Sequence, residues 1–158
     1  MDIHLVPMKD EEFREYEKNS TAEYAQDKVA SGNWHPDEAL MRAEQEFQND
    51  LPDGLKTKNQ YLFSLVDEAT GQKVGMIWFM LDLKRPIPVA FIFDFIIYES
   101  FRRKGYGLEA LKSAEQKAGG MGAKRMELHV FAFNTGARAL YEKAGYEVTN
   151  LNMAKMIG

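Results

Sequence analysis

Apolar positions along this chain change their period several times, and each change marks an element. Ile3 to Met8 is a short apolar stretch that reads as a first strand. Asp10 to about Ser31, and again Pro36 to Asn49, read as helices. The second of these opens with Pro36-Asp37-Glu38 in its first turn, a common helix start. Leu51-Pro52-Asp53-Gly54 then reads as a turn. Gln60 to Asp67 and Lys73 to Leu83 carry strand composition around Ala69-Thr70-Gly71, which predicts a hairpin. Val89 to Tyr98 is apolar on nearly all sides, the pattern of a strand in the middle of a covered sheet. Simple alternation within it groups Asp94 with Ile92, Ile96 and Tyr98, opposite Phe91, Phe93, Phe95 and Ile97.

The period lengthens again after Gly105 and Gly107. Leu108, Leu111, Ala114 and Ala118 define one face of a helix that should stop at Gly119-Gly120. Arg125 to Phe131 reads as a strand, and Thr135 to Ala144 as a short helix with Ala137, Leu140, Tyr141 and Ala144 on one side. Gly145 stands where a left-handed cap belongs. Tyr146 to Thr149 and Asn152 to Ile157 are expected as two last short strands. A hairpin followed by alternating strands and helices predicts an α/β (α+β) fold, with a mixed, mostly antiparallel sheet flanked by helices on both faces. The length of 158 residues suits a single domain.

Charge divides the chain. Residues 1–50 carry 13 acidic and 5 basic side chains, a net of −8; the remainder carries 11 and 15, a net of +4. An anionic ligand favours the second part and a cationic one the first. No basic stripe interleaved with aromatics points to nucleic acid, and no apolar run is long enough to span a membrane. With no cysteine there is no disulfide, thiolate metal site or cysteinyl acyl-enzyme. The N-terminus lacks the basic start and apolar run of a signal peptide, so a cytoplasmic enzyme is the expectation. His4, His35 and His129 have no metal-ligand spacing, and no metal is expected. His129 in its strand reads as structural.

The sharpest local feature is Arg102-Arg103-Lys104-Gly105-Tyr106-Gly107-Leu108, between a buried strand and a helix. A helix N-terminus offers unpaired N–H groups, glycines let the backbone close on an anion, and three cations add charge complementarity. A phosphate or pyrophosphate fits such a place. Gly105 to Ala110 also matches the dinucleotide fingerprint G-x-G-x-x-G/A, with Glu127 20 residues beyond Gly107. Against that, Glu99 to Lys104 separate it from its strand, only 51 residues follow Gly107, and Glu127 falls inside a predicted strand. A Walker loop is excluded, since no Gly-Lys-Ser/Thr occurs.

Arg102-x-x-Gly105-x-Gly107, followed at the right distance by Asn134-x-x-Ala137, Leu140-Tyr141 and Gly145-Tyr146, resembles the GCN5-related N-acetyltransferase (GNAT) family. The family's blocks read Gln/Arg-x-x-Gly-x-Gly/Ala and Asn-x-x-Ala-x-x-Leu-Tyr-x-x-x-Gly-Phe; Tyr146 replaces the phenylalanine and Glu99 stands where proline is frequent. The resemblance implies a single acetyltransferase domain over residues 1–158, with acetyl-CoA bound by a core at 91–146. Its pyrophosphate would lie on the backbone of Arg103, Lys104, Gly105, Tyr106, Gly107 and Leu108, supported by the charges of Arg102 and Lys104. Its pantetheine arm would pair with the backbone of Phe95, Ile96 and Ile97 like an added strand. Tyr141 corresponds to the family tyrosine beside the thioester sulfur, a general acid. Asn134 corresponds to the asparagine on the pantetheine arm, although an N-cap role is equally consistent.

An alkylammonium, with a pKa of about 10.4, attacks only after losing a proton. Asp94 is the one carboxylate between Phe91 and Tyr98, and burial there would raise its pKa toward that of a useful base; Glu99 is the weaker candidate. Residues 10–50 would wall the acceptor side, and their charge suggests a cationic primary amine, on a small molecule or a peptide. Trp34 and His35 read as pins for the loop between the helices. The rival reading is a non-catalytic CoA-binding regulatory module of the same fold. Strand ends near the C-terminus could pair across a homodimer.

Overall fold

The computed structural model, which describes all 158 residues, contains five strands and four helices in the expected order, without the two last strands. Strand β1 (Ile3–Pro7) precedes helices α1 (Asp10–Ala30) and α2 (Ala39–Asp50). Strands β2 (Gln60–Asp67), β3 (Lys73–Asp82) and β4 (Val89–Ile97) follow, then α3 (Tyr106–Gly120), β5 (Arg125–Leu128) and α4 (Thr135–Lys143). Sheet order equals chain order, β1-β2-β3-β4-β5; the first three pairings are antiparallel and β4–β5 is parallel. The crossover between the parallel strands is α3, as a parallel connection requires. No helix is long and apolar enough to cross a membrane.

Side-chain alternation sends two sets of residues to the two faces of the sheet. Phe63, Leu65, Ile77, Phe79, Leu81, Ala90 and Ile92 meet α3 through Ala110, Leu111, Ala114 and Ala118, forming the larger core. Alanines dominate this helix face, so its backbone lies close to the sheet. Leu111 is completely buried there, and its truncation to alanine would cost about 2–5 kcal/mol. Leu62, Met76 and Trp78 on the other face meet Met8, Tyr16, Phe47 and Leu51 beneath α1 and α2. Helices thus cover both faces.

α1 opens with Asp10, Glu11 and Glu12 against its positive dipole end, and Glu12 Oε1 reaches back to accept the Lys9 N–H at 2.9 Å. α2 starts later than its sequence suggests, at Ala39, because Pro36 to Glu38 form a turn. Trp34 is buried against Tyr24 and the Arg42 guanidinium, so it pins the α1–α2 connection.

Three expectations fail. β5 ends at Leu128, short of Phe131, and neither Tyr146–Thr149 nor Asn152–Ile157 forms a strand. Their composition suits a strand, but a strand exists only with a neighbour for its N–H and C=O groups, and this segment has none within the chain. The alternation through β4 also breaks. Trp78 pairs with Asp94 while Phe79 pairs with Ile92, leaving Phe93 as the extra residue of a β-bulge. Ile92 therefore packs toward α3 with Phe95 and Ile97, whereas Asp94 and Ile96 turn to the α1 face. Asp94 does not share a face with Ile92.

Candidate functional site

The sheet splits between its fourth and fifth strands. β4 pairs with β5 only from Val89 to Ile92, against Arg125 to Leu128; from Phe93 to Ile97 its β5-facing edge has no strand neighbour, although the β3 side stays paired to Ile97. Phe95, Ile96 and Ile97 thus line an open strand edge. One acceptor on this segment is already used: the Ile97 carbonyl accepts from Arg102 Nε at 2.8 Å.

Asp94 stands at the start of this open edge, re-aimed by the bulge, a common device beside functional sites. Its Oδ2 accepts from the Tyr16 hydroxyl at 2.7 Å, and its Oδ1 accepts from the Phe95 N–H at 3.0 Å. Burial raises the Asp94 pKa, the two hydrogen bonds oppose the rise, and the charges of Glu23 and Asp27 add to it. Tyr16, itself buried, is pushed well above the ordinary phenol value by desolvation and then by Asp94, so it remains a donor.

Tyr141 approaches from the other face. It packs against the α3-side core with its ring 6.4 Å from that of Phe95 and 5.8 Å from that of Tyr146. Burial, with the Asp94 charge behind it, lifts its pKa to about 12, so it holds its proton at neutral pH. Tyr146 is in turn held by donating to Glu115 Oε2 at 2.8 Å, which ties the end of α4 to α3. Asn134 takes the N-cap position of α4, its Oδ1 accepting the Ala137 N–H at 3.2 Å.

The loop from β4 to α3 passes through a 3₁₀ turn at Glu99–Phe101 and then through two left-handed residues, Arg103 (φ 61°) and Gly105 (φ 88°). Gly105 is the residue before α3, so its positive φ turns the chain into the helix and leaves the amides of the first turn facing outward. Arg102, Arg103 and Lys104 are exposed and none has an anionic partner in the fold. Gly107 has a different reason: a Cβ there would sit 2.9 Å from Leu140 Cδ2, so this glycine lets α4 close on α3. Tyr106 points inward and donates to Asp67 Oδ2 at 2.7 Å, anchoring the loop to the β2–β3 hairpin. Leu108 is half-buried beside it.

Free cations with outward helix-start amides could hold the diphosphate of coenzyme A, and the unpaired strand edge its pantetheine amides. His129 is exposed against Phe131, His4 lies 3.3 Å from Glu68, and Glu99 is exposed in the 3₁₀ turn; none joins Asp94 and Tyr141. No group of three or more His, Cys, Asp or Glu is placed to hold a metal ion.

Three residues here are absent from the sequence reading: Tyr16, the partner of Asp94; Asp67, the anchor of Tyr106; and Glu115, the anchor of Tyr146. The first had a faint signal. Tyr16 and Phe13 are among the few large apolar residues in the acidic first half of α1, which marks them as its sheet-facing side.

A mixed sheet split beside an anion-ready helix start suits a transferase that takes its acyl group from a coenzyme A thioester. The chain belongs to the acetyltransferase (GNAT) family, whose model matches residues 12–146. It is an N-acetyltransferase of that family, which uses acetyl-CoA. YycN of Bacillus subtilis (strain 168), described as an uncharacterized N-acetyltransferase, is 42% identical over 99% of this chain and 100% of its own length. YdgE of the same organism, described likewise, is 36% identical over 99% of both chains. The crystal structure of YycN superposes with a TM-score of 0.92, at 41% identity over 98% of each chain. A Pyrococcus furiosus structure described as an acetyl transferase shares the fold, with a TM-score of 0.69 at 23% identity over 99% of this chain and 100% of its own.

Proposed function

We propose that the whole chain is one acetyltransferase domain that passes the acetyl group of acetyl-CoA directly to a primary, cationic amine on a small molecule or peptide. The observation that carries this reading is the placement of Asp94 and Tyr141 on opposite faces of the same unpaired stretch of β4. Acetyl-CoA supplies the activated acyl group. Asp94 takes the proton that the ammonium must lose, directly or through a water, and its raised pKa suits it to that task. Tyr141 keeps its own proton for the sulfur when the carbon–sulfur bond breaks. The phenol of Tyr16 fixes the carboxylate rotamer and excludes water from one of its oxygens.

Arg103, Lys104 and the first amides of α3 would hold the diphosphate, and the backbone of Phe95 to Ile97 the pantetheine arm, with the Arg102–Ile97 bond exchanged as it docks. Asn134 stays the cap of α4 in this reading. For the acceptor, support comes from charge: Glu23 and Asp27 on α1 face Asp94, within a first third of net −8. Three carboxylates grouped on this side of the sheet favour an ammonium.

Thiol release with acetyl-CoA and a panel of cationic, neutral and anionic amines tests this reading. Turnover limited to cationic amines is expected. Turnover with neutral or anionic acceptors alone would overturn the acceptor class, and unchanged turnover in Asp94→Asn would overturn the base.

A further inference from the structure

From Glu147 to Gly158 the chain enters no helix or strand and makes no backbone hydrogen bond. This segment is not polar in the way unstructured tails are. Val148, Leu151, Met153, Met156 and Ile157 are all exposed, the last three by more than nine-tenths, and only Glu147 and Lys155 are charged. None of its residues joins a core cluster. Leu151, Met153 and Ile157 fall on one side of an extended chain, interrupted only by Lys155.

The same chain carries an incomplete surface that such a strand would complete. β5 is the last strand of the sheet and its outer edge has no partner. Met126 and Leu128 on β5, and Leu140 and Ala144 on the adjoining α4, are only half-buried, and α4 has no fully buried residue at all. Phe133 between them is exposed. An unpaired edge beside half-covered apolar side chains is a template for an added strand.

We infer that two copies of this chain exchange their C-terminal segments, residues 147–158 of each lying along β5 and against α4 of the other. A two-fold pair satisfies both defects at once, because every copy offers one apolar strand and one bare edge. At about 3.3 Å per residue a strand of this length is far longer than β5 and reaches past it to α4. Near neutrality of the segment lets two chains of net charge −4 meet there without repulsion. The helix so covered is the one bearing Tyr141, so exchange also steadies the side chain on the sulfur side of the site. This inference does not depend on the acceptor or on the chemistry assigned to Asp94.

Light scattering on the full chain at micromolar concentration is expected to give twice the chain mass of 18.1 kDa. The Met153→Asp, Met156→Asp double variant should give the single-chain mass while keeping its helical circular dichroism and a cooperative melt. A wild-type chain of single mass, or a charged variant that stays double, overturns the inference. A second experiment does not depend on that variant folding. The sequence has no cysteine, so Arg125→Cys with Met153→Cys gives two unique thiols on exposed positions. A short bismaleimide should join them between chains, doubling the mass on a denaturing gel. A link confined within one chain means that the segment covers its own edge. Either that result or no link at all between reactive thiols overturns the exchange.

Discussion

The Tyr16 hydroxyl donates to Asp94 Oδ2 at 2.7 Å across 78 positions of sequence, joining the acidic helix α1 to the strand that carries the proposed chemistry. Without this bond the carboxylate would keep only its own Phe95 N–H as a donor. The Tyr16 bond lowers the Asp94 pKa against the larger effect of burial. In Tyr16→Phe that opposition is lost, so the acidic limb of kcat/KM should move to higher pH. Urea unfolding should register a loss of about 1.5–3 kcal/mol, the range for a hydrogen bond to a charged group. An unmoved limb would mean that the phenol only packs.

Asp94→Asn should lower kcat/KM by about 10²–10⁴, the usual contribution of a positioned base. Acetyl-CoA should still raise the melting temperature of this variant, because the anion loop is untouched. The sign of the pH effect follows from the raised pKa: the wild-type carboxylate is protonated and idle at low pH, and gains activity as pH passes above the ordinary carboxylate range. That limb should vanish in the asparagine variant.

Tyr141→Phe should reduce kcat with little change in acetyl-CoA affinity, because the hydroxyl is assigned to the departing sulfur and the ring contact with Phe95 survives. Since the phenol stays protonated up to about 12, its own titration should not limit activity below that pH. Rescue of the rate by a substrate whose thiol leaves more easily would identify the step.

The two glycines of the loop should separate cleanly. Gly105→Val places a β-branched side chain at φ 88°, a strained conformation costing of order 1–3 kcal/mol. It should weaken acetyl-CoA binding by misplacing the first amides of α3. Gly107→Ala meets only the flexible end of Leu140, so it should slightly lower stability and leave affinity nearly unchanged. Charge reversal in Arg103→Glu with Lys104→Glu should weaken binding more at low salt than at high salt, as screening predicts. Isothermal titration across ionic strengths reads all three.

The elements of this fold that were legible in the sequence are the ones specified locally. The helix after Gly107 and the one before Gly145 announce themselves by period and by a glycine at a fixed offset, and both lie where expected. The pairing of Tyr106 with Asp67 and of Tyr16 with Asp94 could not be read, since each joins residues far apart in the chain through the closed fold. The bulge at Phe93 was invisible for a related reason: a bulge is a mismatch between two strands, and one strand alone does not record it. The final segment erred in the opposite direction. Asn152 to Ile157 has strand composition, but composition cannot supply the neighbour that makes a strand.

Phe93 also sets how much length variation the family site tolerates. Ile92 lies opposite Phe79 and Asp94 opposite Trp78 on adjacent rungs, so a chain lacking the surplus residue would form a regular ladder with its carboxylate still toward the tyrosine of α1, whereas pressing Phe93 into the ladder would drive that carboxylate toward the alanine-lined helix opposite.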